Sequence, residues 1–191
     1  MTESASTPRL RATFAIYLAL IAATAFIGPR TPGPWTYHVT GILGFLCVAL
    51  ACLGRIWCSL FIAGRKDATV INTGPYAACR HPLYSLSVLG ALGLGLTTRS
   101  PLLCALTVVS ILALVYTAAA REEKALASAF PAAFEAYVAA TPNKWWPRAM
   151  TAPPDRIEVH PAVYWKAFLD AGSFFVLWLL VAISTEYRLS L

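Results

Sequence analysis

Charged residues are absent, or nearly so, from five stretches of this 191-residue chain, and those stretches predict its helices. Residues 12–29 carry no charge and run into Gly28-Pro29, where a helix stops. Residues 31–64 carry one charge, Arg55; after a Pro32-Gly33-Pro34 turn a helix over about 35–63 is expected. Residues 83–98 are apolar but short, 101–120 carry no charge, and 162–185 carry Lys166 and Asp170 near their start. Those two are four apart on one helical face, where they can pair or snorkel. A crossing helix needs about 20 apolar residues. The pattern therefore predicts an all-α, polytopic membrane protein with about five transmembrane helices, at 12–29, 35–63, 83–98, 101–120 and 162–185. The first is expected to be a retained helix rather than a signal peptide, because further spans follow it. In the polar stretch 121–160, Leu126, Phe130, Phe134 and Tyr137 recur every three to four residues, as on a helix lying flat in the membrane interface. Internal repeats are absent, so residues 1–191 read as one membrane domain with polar segments at 64–84 and 121–147.

Composition agrees. Hydrophobic residues make up 58% and charged residues 13%, against about 45–50% and about 25% in soluble domains. A soluble enzyme, a disordered chain and a collagen-like chain are excluded. The net charge of +6 follows the spans rather than a nucleic-acid face. With a cytoplasmic N-terminus, ten basic residues fall on the cytoplasmic side: Arg9, Arg11, Arg65, Lys66, Arg80, Arg121, Lys124, Lys144, Arg148 and Arg156. Three fall on the other: Arg30, Arg99 and Arg188. That asymmetry places both polar segments in the cytoplasm. The five cysteines form no C-x-x-C pair, and Cys79, beside Arg80, reads as an inert thiol.

Two polar segments carry candidate chemistry. In the first, Gly74-Pro75 signals a turn, and Pro82 after Arg80-His81 suits the first position of the next helix. Backbone N–H groups, the positive end of a helix dipole and two cationic side chains would gather there, ready for a carboxylate. In the second, Glu122-Glu123 sit where the fourth span leaves the membrane and can pair with the cationic loop or hold a polar ligand. No His/Cys/carboxylate cluster has metal spacing, and no G-x-G-x-x-G is present. His38 and His160 read as structural, and Gly90, Gly93 and Gly95 as close helix packing. Arg55, inside a span, either snorkels or orients an anionic acceptor.

Gly74-Pro75-Tyr76-x-x-x-Arg80-His81-Pro82-x-Tyr84, followed by Glu122-Glu123-x-x-Leu126-x-x-x-Phe130 and Tyr137, resembles the isoprenylcysteine carboxyl methyltransferase and phospholipid methyltransferase superfamily. The likeness covers roughly residues 55–147, to Trp145-Trp146-Pro147. Departures are Leu86 for a small residue, Phe130-Pro131 for Phe-Gly, and Phe134 for a tyrosine. The resemblance implies a small all-helical membrane enzyme that uses S-adenosylmethionine without a Rossmann domain. It implies a cofactor site built from the Arg80-His81-Pro82 loop and the paired carboxylates, at Tyr76, Arg80, His81, Pro82, Tyr84, Glu122 and Glu123; Arg80 and Glu122, together with the intramembrane Arg55, which the motifs do not include, are the catalytic candidates. The implied reaction is methyl transfer to a lipophilic acceptor, either an isoprenylcysteine-like carboxylate or a lipid amine. The expected setting is a bacterial inner membrane with the cofactor site facing the cytoplasm. The expected partners are lipids and a lipophilic substrate, with no nucleic acid; oligomeric state is open. The alternatives are an NADPH-dependent sterol-type reductase and a non-catalytic membrane subunit.

Overall fold

The computed structural model describes residues 3–27, 33–65, 69–147 and 156–190. The expected helix stop at Gly28-Pro29, Pro32 of the following turn, and the basic residues Arg30, Lys66 and Arg148 lie outside the described residues, as do the side chains of Arg9 and Arg11. Seven helices and no strands are found among the described residues. They are α1 (Glu3–Phe26), α2 (Pro34–Ile62), α3 (Pro75–Ala78), α4 (Pro82–Thr97), α5 (Pro101–Ala129), α6 (Pro131–Ala140) and α7 (Pro161–Leu189). Every helix after α1 starts on a proline. A proline ring presets the helical φ, and its missing N–H is one the first turn could not pair anyway.

Among the described residues, three helices are long and apolar enough to cross a membrane: Trp35–Ile62, Pro101–Ala129 and Pro161–Leu189. Ala12–Thr24 and Pro82–Thr97 are apolar but shorter. At 1.5 Å per residue α4 is about 24 Å long, less than the roughly 30 Å hydrocarbon layer. Two expectations on the polar stretch are corrected. The helix of the expected fourth span does not end at residue 120; α5 continues through Arg121–Lys124 to Ala129, so the paired glutamates ride on the same helix. The apolar stripe does not lie on one helix. Pro131 cannot extend the preceding turn, so Leu126 stays on α5, Phe130 caps α6, and Phe134 and Tyr137 belong to α6.

The chain divides into two compact units. One comprises Met1–Ala51, Ser87–Tyr116 and Ser173–Leu191. Its core includes Tyr17, Val48, Leu94, Ile111, Phe174 and Val181. Glycines permit the close approaches, as expected. A Cβ on Gly93 would lie 2.6 Å from the Gly44 carbonyl oxygen, one on Gly90 2.3 Å from the Phe174 ring, and one on Gly95 2.7 Å from the Cys104 backbone. Beyond α4, Arg99 takes a left-handed φ of 57°. Its guanidinium lies 4.2 Å above the Tyr37 ring and donates to the Thr97 carbonyl (2.7 Å) and Glu186 (3.4 Å). Tyr37 donates to the same glutamate at 2.5 Å.

The other unit comprises Cys52–Leu86 and Thr117–Gly172 and holds every sequence-predicted site residue. Gly64, at φ 83°, closes the C-terminal end of α2 and lies against His160, which a Cβ there would meet at 1.9 Å.

Candidate active site

The loop before α4 is shaped by local chemistry. Gly74 has a φ of 59° and passes so close to Phe61 that a Cβ would fall 2.2 Å from the ring. Pro75 starts the single turn of α3, and Cys79 returns the chain to an extended conformation. Arg80 and His81 then run alongside residues 143–144. The Arg80 amide donates to the Asn143 carbonyl (3.0 Å) and the His81 amide to the Lys144 carbonyl (3.1 Å). The Tyr84 and Ser85 amides turn back to the His81 carbonyl. The expected row of available amides at this helix start is therefore corrected: these amides are paired, which leaves the side chains of Arg80 and His81 to make the polar contacts.

Those side chains converge on α5. His81 Nε2 lies 3.0 Å from Glu123 Oε1, and Arg80 Nη1 lies 3.4 Å from the same oxygen. Lys144 Nζ donates to Glu123 Oε2 at 2.8 Å. Tyr84 donates to Glu122 Oε2 at 2.8 Å, and His81 Nδ1 stands 3.9 Å from that oxygen. The His81 ring is stacked on Tyr84 and tilted on Trp145, each at 5.5 Å between centroids. Burial holds its imidazole below the usual histidine value, against the opposing pull of the Glu123 hydrogen bond and the two carboxylate charges. With Glu123 as acceptor, the neutral ring carries its proton on Nε2.

Tyr76 joins this group from α3. Its carbonyl accepts from the Tyr137 hydroxyl at 2.8 Å. Its own hydroxyl is buried with no hydrogen-bond partner, and burial pushes it well above the usual tyrosine value. Arg80 Nε is likewise buried with no hydrogen-bond partner. A folded chain seldom leaves such donors unsatisfied. They fit the edges of a site for a polar ligand.

The structure thus brings together Tyr76, Arg80, His81, Tyr84, Glu122 and Glu123, with Pro82 buried at the first position of α4. Arg55 has partners that neither reading of it named: Nη2 binds Asp170 Oδ2 at 2.5 Å, and Nη1 donates to the Leu83 carbonyl at 3.4 Å. Asp170, which can also pair with Lys166 along its own helix, reaches α2 at this point. Burial raises the Cys79 thiol, outweighing a backbone hydrogen bond from His81, as suits an inert cysteine. Among the described residues, no group of three or more His, Cys, Asp or Glu is placed to hold a metal ion.

Sequence reasoning missed Lys144, Trp145 and Ser85, whose hydroxyl donates to the Trp145 carbonyl at 2.7 Å. The only signal was the closing Trp145-Trp146-Pro147 of the resemblance, which begins beside Lys144.

Comparison with known proteins adds the lineage. A family model described as phospholipid methyltransferase matches residues 39–133. The cobalt-zinc-cadmium resistance protein CzcN of Cupriavidus metallidurans is 44% identical over 124 residues, 64% of this chain and 56% of that protein. The nickel-cobalt-cadmium resistance protein NccN of Alcaligenes xylosoxydans xylosoxydans is 42% identical over 108 residues, 56% of this chain and 50% of that protein. The chain thus spans about half the length of the curated relatives it matches. No solved structure gives a significant match. The matched segment runs from α2 through the Arg80-His81-Pro82 loop to the paired glutamates and places the chain in the isoprenylcysteine/phospholipid methyltransferase superfamily.

Proposed function

We propose that this chain is an integral membrane methyltransferase that uses S-adenosylmethionine and methylates a lipophilic acceptor. The observation that carries the reading is the convergence of Arg80, His81 and Lys144 on Glu123, beside a Glu122 braced by Tyr84. Arg80 and Lys144 bring two positive charges and the glutamates two negative ones, a balance suited to a ligand that carries both an ammonium and a carboxylate. Arg80 is assigned to the carboxylate and Glu122 to the ammonium. The buried Tyr76 hydroxyl and Arg80 Nε offer further polar contacts, and the His81, Tyr84 and Trp145 rings provide a wall. Bound S-adenosylmethionine supplies a methyl group on a cationic sulfur.

The chain's own task is then to hold the acceptor near and in line. Arg55, fixed by Asp170 and the Leu83 carbonyl, is assigned to the acceptor side, where a carboxylate or phosphate would meet it. A lipophilic acceptor enters from the bilayer and the polar cofactor from the cytoplasm. The relatives' names suggest that this methylation serves resistance to transition-metal ions.

Calorimetric titration with the demethylated product, S-adenosylhomocysteine, tests the cofactor. Glu122→Gln and His81→Ala each remove a polar or charge-assisted contact and should weaken binding by about ten- to a hundredfold. Unchanged affinity in both variants places the cofactor elsewhere, and heat from NADPH in place of S-adenosylhomocysteine favours the reductase. Lipid extracts incubated with methyl-labelled cofactor should yield one labelled species by mass spectrometry, which identifies the acceptor.

A further inference from the structure

Adjacent glutamates on a helix begin chemically alike, and the fold separates them. Glu123 Oε1 faces His81 Nε2 at 3.0 Å and Arg80 Nη1 at 3.4 Å, while Oε2 accepts from Lys144 at 2.8 Å. A carboxylate has about four lone-pair positions; here His81 and Lys144 engage one on each oxygen, and Arg80 adds an ion pair. Glu122 accepts from the Tyr84 hydroxyl, and its side chain is 36% exposed against 20% for Glu123.

Lys144 belongs to a short strap laid across the loop. Asn143 and Lys144 accept from the Arg80 and His81 amides, the Trp145 carbonyl accepts from Ser85, and the Trp145 ring tilts against His81. The lysine ties this strap to α5 through Glu123. Resting on the cofactor reading above, we infer that Lys144 is a positioning residue: it occupies Glu123, fixes the strap over Arg80 and His81, and leaves Glu122 as the carboxylate that meets the ligand's ammonium.

Charge explains why a lysine is used. With His81 neutral, Arg80 and Lys144 balance Glu122 and Glu123. Removing Lys144 leaves one uncompensated negative charge beside Arg80 and His81. Glu123 then draws Arg80 to itself, so Arg80 is less available to a ligand carboxylate. The groups acting on His81 are Glu122 and Glu123 from α5 and Lys144 from the strap. Loss of the lysine leaves only the two carboxylates among them, and these favour the imidazolium.

The test uses the 191-residue chain in lipid nanodiscs, with S-adenosylhomocysteine as the calorimetric probe and imidazole NMR as a second readout. Lys144→Met keeps most of the stem and loses the charge. It should weaken binding by about tenfold, a charged hydrogen bond's worth, and raise the pH at which His81 titrates. Lys144→Arg restores the charge and should recover most of the affinity and the wild-type titration. No binding by the wild-type chain defeats the cofactor reading itself. Wild-type binding with an unaltered Lys144→Met variant overturns the role of Lys144 alone. Equal loss in Lys144→Met and Lys144→Arg, with His81 titrating as before, makes the lysine mere strap packing and also overturns it.

Discussion

A histidine buried to 5% exposure between two glutamates could take either charge state, and magnitude decides. Burial lowers the imidazole more than the carboxylates raise it, so His81 is neutral near pH 7. Because the folded value lies below the unfolded one, the unfolded chain binds the proton more readily. The stability His81 contributes is present above the ordinary histidine value, about 6.5, and is lost as pH falls below it through the depressed folded value. Thermal unfolding between pH 8 and pH 5 should therefore show a steeper loss in the wild type than in His81→Gln. Parallel curves would mean that His81 titrates normally in the fold. Arg55 offers a second residue-level test. Lysine retains the charge toward Asp170 but not the planar fork that also reaches the Leu83 carbonyl. Arg55→Lys should lower single-turnover methyl transfer by on the order of a hundredfold, as misalignment by about 1 Å can do, with S-adenosylhomocysteine affinity retained. A wild-type rate would return Arg55 to a purely structural role. His81 was legible because motif spacing exposes it, and Arg55 because it is the one charge in an apolar stretch. Lys144 was not, since its role arises when residues 143–144 meet residues 80–81, and no local pattern announces a pairing across some 60 positions.

Element starts were more legible than element ends. Proline marks every start after α1, and each is visible in the sequence. The end of α5 escapes a reading by charge. Arg121–Lys124 look like the exit from the helix, whereas charged residues are good helix formers and the turn continues until Pro131 forbids it. Glycines within the helices show how packing overrides propensity. Alanine is favoured over glycine by about 1 kcal/mol in a helix interior. A methyl added at Gly172 in α7 would meet nothing within 4 Å, so Gly172→Ala should stabilise by up to about that amount. Gly93→Ala instead drives a methyl to 2.6 Å from the Gly44 carbonyl oxygen. Backbone must shift, and overpacking of about 1–3 kcal/mol should outweigh the propensity gain. Opposite shifts in the midpoint of denaturant unfolding would bear this out; a stabilising shift in Gly93→Ala would show that α2 and α4 can separate cheaply there, and a destabilising one in Gly172→Ala that the open space at Gly172 does not decide its sign.

At the scale of the whole molecule, the remaining question is how many helices cross. Length and composition qualify three and leave α4, at 16 residues, short. Parity supplies what length does not. His81 precedes α4 and Glu123 lies near the end of α5, yet their side chains meet at 3.0 Å. Two points on the same side of a bilayer are separated by an even number of crossings, so α4 and α5 both cross or neither does. α5 is long and apolar enough to cross; α4 is therefore predicted to cross as well. Its shortfall of roughly 6 Å from a 30 Å layer is met by local thinning, at fractions of a kcal/mol per Å. The basic asymmetry then predicts that the Arg80-His81 loop and the segment after Glu122-Glu123 both face the cytoplasm. Single cysteines at the exposed positions Asn72 and Glu135, introduced into a cysteine-free background, should react with a membrane-impermeant thiol reagent only after the cells are opened. A cysteine at exposed Gly33, before α2, should react in intact cells. Labelling of position 72 from one side and position 135 from the other would break the parity, and with it the single site built from the Arg80-His81 loop and the paired glutamates.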